Sequence, residues 1–422
     1  MTSQPCWRLC AGAGALLLVA LGMTLAVGCA AQKAEEAPPA SFWPPYPNEP
    51  HIQFLASFEK SSDVQPPKGA LDKLIYGKEA QEDVPLKLPY GVAMWNGRIY
   101  VCDVRLQAIM IFDLRKHQAL ALGPGDADPL QKPNAIAIAD DGFKYVTDQV
   151  KQGIFVYNAD DKYVQTFTDK KIKPTNVAVY KDELFVCDVA LKERARVVIL
   201  DRHSGKMLGE IGKLGQKPGE FLFPLGIVVD PQGYVYVSDV LNPRVQKFDR
   251  KGKLLDYFGQ ETDTIGGLVK PKMIALDKDQ IIYVVGAAAQ NVQMFQRDPQ
   301  SQRLELLTFF GGAGSYPRAM DDPVGICVHE GDLDLFTQYI NPAFEAQRLI
   351  LVTNQEGPHK VSIYAFGHLR AGKTVEDIRQ SKGIVPTGTT NAQQPLTGVP
   401  TTMPDNSLAP GPATAPGPAT RK

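Results

Sequence analysis

The sequence is poor in the residues that most often build catalytic and metal-binding sites. Only 6 of its 422 residues are histidine, and none stands in a His-Glu-x-x-His pattern or a Ser-His-Asp order. A glycine-rich phosphate loop is also missing from the sequence. We therefore expect no catalytic residue, no metal site and no cofactor, although a hydrolase or lyase with an unfamiliar arrangement stays open as the alternative.

An excess of charge of either sign is absent as well. Lys and Arg together number 45, and Asp and Glu number 46, whereas dedicated nucleic-acid-binding proteins usually carry a marked basic excess. The balance argues against a nucleic-acid partner, but it is compatible with a local charged patch.

Cysteine is scarce, and its positions exclude a fully paired disulfide framework. Three of the 6 cysteines lie in the first 29 residues, and the others are Cys102, Cys187 and Cys327. None of these three belongs to a Cys-x-x-Cys pair, and each lies in an apolar strand pattern. We expect three small buried core residues rather than metal ligands.

The N-terminal residues are typical of an exported and anchored protein. A positive charge precedes an uncharged apolar run, which predicts a signal peptide over residues 1–28 and a lipid on Cys29. Ala26 stands where lipoproteins prefer leucine, and an ordinary cleaved signal remains an alternative. A retained membrane anchor is a third option, although the apolar segment is short for a span. The lipid would anchor the protein to a membrane of the cell envelope.

Sorting and domain boundaries follow from the neighbouring residues. Ala30 and Ala31 resemble the outer-membrane sorting pattern, so we expect an outer-membrane lipoprotein that faces the periplasm or the cell surface. Residues 29–50 predict a Pro-rich tether. Residues 369–422 predict a short helix and then a disordered tail rich in Pro, Thr, Gly and Ala. The domain between them spans residues 51–368.

The domain consists of repeats. A motif of Pro, a variable residue, a small or flexible residue and three apolar residues begins at Pro89, Pro133, Pro174, Pro224, Pro271 and Pro323. A turn and a strand ending in Asp follow most copies, and most units add two more short strands. Four short strands per unit at this period are typical of propeller blades, so we predict an all-β, six-bladed β-propeller.

The sixth unit lacks a fourth strand of its own. After its motif we predict strands over Leu349–Thr353 and Lys360–Phe366. The segment Ile52–Phe58, near the N-terminus, resembles the fourth strands of the other units. We predict that this segment completes blade six and closes the ring, which leaves no terminal repeat in need of a cap.

The fourth unit also carries a family likeness. Residues 212–259 resemble a full NHL repeat, and the Gly-His and Trp-Asp dipeptides of WD40 blades are missing. The likeness covers roughly residues 51–367 and is to NHL-repeat lipoproteins of bacteria. It implies a six-bladed propeller of NHL type but no single function, because NHL propellers include protein-binding modules, RNA-binding modules and some lyases.

One face of the predicted propeller is a candidate binding surface. Ligands and partners of propellers usually contact the loops that lead into the innermost strands and the loops that join strands two and three. The candidate residues there are Tyr90, Arg105, Lys132, Lys173, Arg194, Arg244, Lys270 and Lys272. Converging cations would favour an anionic ligand or an acidic partner, and solvated loop residues with no binding role are the alternative.

Two further patterns have competing interpretations. The recurring Asp103, Asp148, Asp188 and Asp239 suggest calcium, but Asp at a strand end usually accepts backbone hydrogen bonds, and we prefer that structural role. An insertion over residues 329–347 lies on the opposite face. Its Phe336, Tyr339 and Phe344 could form the apolar side of a short helix that docks a partner, or they could pack on the blade.

These features favour a cell-envelope lipoprotein that binds or scaffolds protein partners, with membership of an envelope or respiratory assembly as one form of that role. Catalysis, or binding of an anionic small molecule at the channel mouth, is the alternative.

Overall fold

The computed structural model describes residues 42–64, 83–122, 129–190, 192–259, 266–300, 303–314 and 318–381. The predicted signal peptide, Cys29, most of the tether and the Pro-rich tail lie outside these ranges. The described residues form six antiparallel sheets, and the innermost strand of each sheet contacts the innermost strands of two neighbouring sheets. The predicted six-bladed β-propeller is therefore confirmed.

Five of the sheets contain four strands that are consecutive in the chain. Blade one contains β3 (Pro89–Trp95), β4 (Arg98–Asp103), β5 (Ala108–Asp113) and β6 (Gln118–Leu122). Blade two contains β7 (Pro133–Ile138), β8 (Lys144–Asp148), β9 (Gly153–Tyr157) and β10 (Tyr163–Thr168). Blade three contains β11 (Pro174–Tyr180), β12 (Glu183–Ala190), β13 (Arg194–Asp201) and β14 (Met207–Ile211). Blade four contains β15 (Pro224–Val229), β16 (Val235–Asp239), β17 (Arg244–Phe248) and β18 (Leu254–Phe258). Blade five contains β19 (Pro271–Leu276), β20 (Ile282–Gly286), β21 (Asn291–Arg297) and β22 (Leu304–Gly311).

Blade six is assembled from both ends of the propeller. Its first three strands are β23 (Pro323–His329), β24 (Phe344–Asn354) and β25 (Val361–Leu369). The segment β2 (Ile52–Phe58) pairs with β25 as the fourth strand, so the predicted closing strand is confirmed. A two-residue strand, β1 (Phe42–Trp43), adds to β2 as a fifth strand, although the sequence placed these residues in the tether.

The second and third strands of blade six are longer than the sequence predicts. Pairing between β24 and β25 begins at Phe344 and Leu369 and continues past a register shift between Ala346 and Arg348. Part of the predicted insertion is therefore strand. The rest of it contains a short 3₁₀ helix over Leu333–Tyr339.

The innermost strands lie close together around the central axis. Each pairs its motif proline with a residue at or near the end of strand two and then shifts register, as at Pro323 and Asn354. In blade six, the Thr353 hydroxyl accepts the N–H of Gly325 at 2.9 Å and donates to the carbonyl of Tyr90 in blade one at 2.5 Å. A Cβ at Gly325 would lie 2.0 Å from that carbonyl oxygen. Only glycine fits there, because the backbone of the next blade occupies the space.

The apolar core follows the ring. Buried side chains fill each blade and the space between neighbouring blades, and one large cluster joins blades six and one through Phe344, Leu351, Val101 and Phe112. Full burial of one valine, leucine or phenylalanine side chain stabilises the fold by about 1.5–3 kcal/mol. The closing strand contributes Leu55 to this cluster, so the packing ties the two ends of the ring together.

The propeller has two faces that the connections define. The upper face consists of the loops between blades and the turns from strand two to strand three. The lower face consists of the turns from strand one to strand two and from strand three to strand four. Near the lower face, ion pairs join every blade to the next: Arg98 to Asp161, Arg202 to Asp141, Arg250 to Glu183, Arg297 to Asp256, Arg348 to Asp277, and Arg115 to Asp332.

A short helix, α1 (Val375–Gln380), follows β25. Thr374 Oγ1 accepts the N–H of Asp377 at 3.3 Å, and the Asp377 carboxylate accepts the N–H of Thr374 at 2.7 Å. This reciprocal capping box agrees with the helix start that the sequence indicates. No helix within the described ranges has the length and apolar character needed to cross a bilayer.

Candidate binding face

The recurring carboxylates at the ends of strand two hold the loops of the upper face. Asp103 accepts the N–H groups of Lys87 at 2.6 Å and Leu88 at 3.0 Å, and it also accepts those of Arg105 and Leu106. Asp148 and Asp239 bond in the same way to the loops before Pro133 and Pro224. All these carboxylates are fully buried. Each one therefore fixes the loop that leads into the innermost strand to the turn after strand two.

Blades three, five and six depart from this arrangement. Asp188 accepts the N–H of Lys173 at 2.8 Å, but Arg194 at 2.6 Å and Arg196 at 3.0 Å take most of its remaining capacity. Gly286 stands at the equivalent place in blade five, and Asn354 stands there in blade six. Asn354 Oδ1 accepts the N–H of Asp321 at 3.3 Å. The described residues contain no group of three or more His, Cys, Asp or Glu side chains that could hold a metal ion.

Four of the predicted cationic residues form ion pairs or hydrogen bonds within the protein. Arg194 pairs with buried Asp188, and Arg244 Nη2 donates to the carbonyls of Lys217 and Glu220. Lys272 pairs with Asp322 at 2.9 Å, and Lys132 Nζ donates to Gln149 Oε1 at 2.8 Å. All four lie on the upper face, as the sequence predicts. Their side chains are only partly exposed, however, so much of their charge holds loops in place.

The remaining predicted cations form the free part of the face. Arg105 and Lys270 are exposed and Lys173 is half-buried, and none of the three forms an ion pair within the described ranges. The sequence selection missed Lys170 and Lys171, which are exposed in the same loop as Lys173. The closely spaced lysines of that loop were the sequence signal that could have identified these two residues.

Exposed positive charge is therefore concentrated where the chain enters blade three. Four lysines lie there, Lys170, Lys171, Lys173 and Lys192, against two exposed carboxylates, Asp169 and Glu193. The Asp169 carboxylate accepts the N–H of Lys171 at 2.8 Å, while Asp188 lies beneath with no exposure. Cations that project from loops while carboxylates are buried beneath them produce a local positive potential on a chain of neutral composition.

Tyr90 lies at the upper end of the innermost strand of blade one. Burial raises the pKa of its phenol to about 12, and the nearby Asp322 carboxylate contributes to the rise. Its ring packs against a cluster that contains Met273 of blade five and Ile326 of blade six. The phenol therefore stays neutral at physiological pH and fills space at the mouth of the channel.

Asn134 occupies the same place in blade two and was not selected from the sequence as a site residue. Its side chain is 3% exposed, and Oδ1 has no hydrogen-bond partner among the residues that the structure describes. Buried amide oxygens are nearly always bonded to protein or to water. This atom is therefore a buried acceptor that the described residues leave without a donor.

The aromatic residues of the insertion pack on the blade. Phe336 is 1% exposed and Phe344 is fully buried, and Tyr339 is half-buried with its ring 6.4 Å from that of Phe336. Phe344 is the first residue of β24 and not part of a helix, because β25 extends to pair with it. The docking interpretation fails for the two phenylalanine side chains in this conformation, and the packing alternative describes them.

The insertion borders a shallow cavity on the lower face. It has a volume of about 410 Å³, and its walls include Leu333, Ile340, Pro342 and Ala346 together with the polar side chains of Thr337 and Arg370. Asp332 of the insertion contacts blade one: its carboxylate accepts from Arg115 and from the N–H of Gly97. It also accepts from His329 within the insertion.

His359 lies in the turn from β24 to β25 in blade six, on the upper face. Its Nδ1 lies 3.0 Å from Ser57 Oγ on the closing strand, and it is 8% exposed. Burial lowers the pKa of its imidazole. The residue therefore belongs to the contact that closes the ring. The cysteines also lie in blades, with Cys102 and Cys187 buried and Cys327 partly so, and all three are free thiols.

A comparison with protein families agrees with the fold. A family described as a six-bladed β-propeller matches residues 164–300, less than half of the chain. Virginiamycin B lyase from Staphylococcus aureus has 12% sequence identity and a TM-score of 0.45, over 67% of this chain and 96% of its own. A protein of unknown function from Bacteroides thetaiotaomicron has 13% identity and a TM-score of 0.49, over 75% of this chain and 76% of its own. Hydrazine synthase from Kuenenia stuttgartiensis has 14% identity and a TM-score of 0.45, over 68% of this chain and 84% of its own.

The fold thus defines the class of protein, a six-bladed β-propeller. Similarity at this level of identity carries no argument about an activity.

Proposed function

We propose that this protein is a binding module of the bacterial cell envelope that holds an acidic protein partner on its upper face. The observation that carries the proposal is the group of exposed lysines around blade three, above a carboxylate that is buried and bonded internally. The buried Asp188 carboxylate accepts the N–H of Lys173 and so fixes this loop, and a loop that is fixed before binding loses less conformational entropy on binding. The NHL-type likeness of residues 212–259 is compatible with this role.

The anchor is the second part of the proposal. A lipid on Cys29 would hold the propeller at the outer membrane, so that a partner in the same membrane or in the periplasm meets it at a raised effective concentration. Metabolic labelling with an alkyne fatty acid tests the anchor. We expect labelled protein in the outer-membrane fraction, and no label after Cys29→Ser. Wild-type protein that incorporates no alkyne fatty acid would contradict the lipid anchor but not the binding role.

Site-specific photo-crosslinking tests the binding role. A photoreactive amino acid is placed at Lys173 or Lys270 of the full chain in the bacterium that carries it, with Leu120 as the control because that residue is 49% exposed on the outer edge of blade one. We expect one discrete heterologous adduct from the upper-face positions and none from the control. Equal labelling from all three positions, or no adduct from either upper-face position, would contradict a specific upper-face partner.

A second candidate function is retention of a small polar ligand at the channel mouth. The observation in its favour is the unpartnered Oδ1 of Asn134, with the Lys272–Asp322 pair on the same face. Native mass spectrometry of the purified protein would detect a retained ligand. Asn134→Leu should abolish its retention while leaving the crosslinks of the upper face unchanged.

A further inference from the structure

The connection between blades three and four is folded over the top of blade four. Arg244 Nη2 donates to the carbonyls of Lys217 at 2.7 Å and Glu220 at 2.9 Å. Gln246 accepts the N–H of Gly219 at 2.8 Å and donates to the carbonyl of Glu220 at 2.9 Å. The strand-three side chains of blade four therefore fix this connection at several points.

A buried aromatic residue anchors the same connection. Phe221 is fully buried, and its ring centroid lies 5.5 Å from that of Phe248 in β17. Gly212 has a φ of +73°, and a Cβ there would lie 2.4 Å from the Phe221 ring. The chain can turn tightly over the aromatic ring only with glycine at this position. The connection is thus a built part of the blade rather than a loose loop.

This rigid connection nevertheless exposes two large apolar side chains. Leu214 is 38% exposed, and Leu241, in the turn from β16 to β17, is 55% exposed. Asn242 Nδ2 donates to the carbonyl of Gly215 at 3.0 Å. That bond joins the two residues that directly follow the leucines in the chain, so Leu214 and Leu241 lie on adjoining loops of one surface.

The exposed charge around the leucines is positive. Lys213 and Lys217 are exposed, and Arg244 is partly exposed. The nearby carboxylates are bound within the protein: Asp239 is fully buried, and Glu220 accepts the N–H of Lys217 at 3.0 Å and lies 3.6 Å from Lys213 Nζ. The backbone bond from Lys217 lowers the pKa of Glu220, so that carboxylate stays ionised and engaged in the loop.

We infer that Leu214, Leu241, Lys213 and Lys217 form a docking platform for an acidic segment of a partner protein that carries leucine-like side chains. The apolar contacts would lie at the centre, and the lysines would meet carboxylates at the rim, which is the usual anatomy of a protein interface. The inference rests on the proposed function and deepens it, because it names the partner's chemistry and the blade that it contacts.

The test uses a fluorescent synthetic peptide in which Asp and Glu alternate with Leu, with fluorescence anisotropy as the readout and the full chain as the receptor. We expect binding that weakens as salt is raised. Leu214→Ser with Leu241→Ser should weaken it about tenfold or more, because partial burial of two leucines contributes more than about 1.4 kcal/mol. Lys213→Glu with Lys217→Glu should weaken it by a similar factor.

Two matched controls decide the specificity. Leu120→Ser removes a leucine from the outer edge of blade one whose 49% exposure lies between the 38% of Leu214 and the 55% of Leu241, and it should leave peptide binding unchanged. A peptide with Lys in place of Asp and Glu should not bind. The platform is refuted if the wild-type chain does not bind the acidic peptide, if the leucine variant binds it as well as wild type does, or if the basic peptide binds equally.

The outcome is separable from that of the proposed function. If Lys173 or Lys270 gives adducts but the acidic peptide does not bind, the platform is refuted and the proposed function is not. Peptide binding that depends on Leu214 and Leu241, without adducts from Lys173 or Lys270, would support the platform and move the binding surface from blade three to blade four.

Discussion

The upper and lower faces of this propeller use their carboxylates in different ways. On the upper face, the carboxylates of Asp103, Asp148 and Asp239 accept backbone N–H groups and are fully buried. Lys170, Lys171 and Lys192, in the upper-face loops around blade three, are exposed. Near the lower face, carboxylates meet arginines of the neighbouring blade, as in Arg202–Asp141 and Arg250–Glu183.

This difference explains how a chain with balanced charge can present one basic surface. Near the lower face, cation and anion neutralise each other and join neighbouring blades. On the upper face, several carboxylates accept backbone N–H groups of the loops. Arg194 and Lys272 form ion pairs there, but the exposed lysines around blade three remain available to a partner. The charges of the lower face should therefore stabilise the fold, whereas those of the upper face should serve binding. Substitutions on the two faces should then differ in their effects.

The largest expected effect is at Arg348, between blades five and six. Its side chain is fully buried against Asp277 and Asp279, and its guanidinium lies 4.7 Å from the centre of the Phe366 ring. Arg348→Ala leaves Asp277 buried without its counter-charge and should lower the free energy of unfolding by about 3–5 kcal/mol. Denaturant unfolding measures the loss. Arg379→Ala, at an exposed position in α1, serves as the control and should change stability little.

A smaller effect is expected at Asp239 on the upper face. Asp239→Ala removes the acceptor of the Leu222 and Phe223 N–H groups, both at 2.8 Å. The loop lies near solvent and can partly rehydrate, so the loss should be about 1–3 kcal/mol. Glu193→Ala, which removes an exposed carboxylate of the same face, is the control. If Asp239→Ala cost as little as its control, the buried carboxylates would not be what shapes this face.

Much of the fold is predictable from the sequence because each blade repeats the same local chemistry. The motif proline begins the innermost strand, and the aspartate at the end of strand two recurs opposite it, as at Pro224 and Asp239. The closing strand Ile52–Phe58 is recognisable because it shares the pattern of the other fourth strands. By contrast, β1 could not be predicted, since a strand of two residues has no periodicity.

The candidate site is less predictable because it depends on pairings between distant residues. The sequence places Arg194, Arg244 and Lys272 on the correct face, but it does not reveal that each is held by its own loop or by a neighbouring one. The inter-blade pairs, such as Arg115–Asp332, join residues that only the closed ring brings together. The exposure of Leu241 is equally invisible, because a leucine beside a turn is usually assigned to the core.

The closure of the ring should respond to pH through His359. Burial lowers the pKa of this imidazole below its ordinary 6.5, so the unfolded state binds its proton more tightly than the folded state does. The free energy of unfolding is therefore not reduced by this group above pH 6.5. It falls as the pH drops from there towards the lowered pKa of the folded state. His359→Gln should flatten that part of the stability profile in denaturant unfolding, whereas His368→Gln, at an exposed position, should retain the wild-type slope. A wild-type profile without this slope would argue against a neutral buried imidazole at the closure.

The smallest expected change in stability concerns the upper-face lysines, and it separates the two faces most clearly. Lys173→Glu with Lys270→Glu removes no ion pair of the described structure, so the free energy of unfolding should change by no more than about 0.5 kcal/mol. The same double variant, with the photoreactive amino acid moved to the exposed Lys171, should abolish crosslinking from the upper face, because an acidic partner would meet like charge there. Arg115→Glu with Arg250→Glu reverses two cations near the lower face and should give the opposite result, with reduced stability and unchanged crosslinking. If the lysine variant unfolded readily, or if the arginine variant lost its crosslinks while still folded, the charges of the two faces would not be divided between binding and stability.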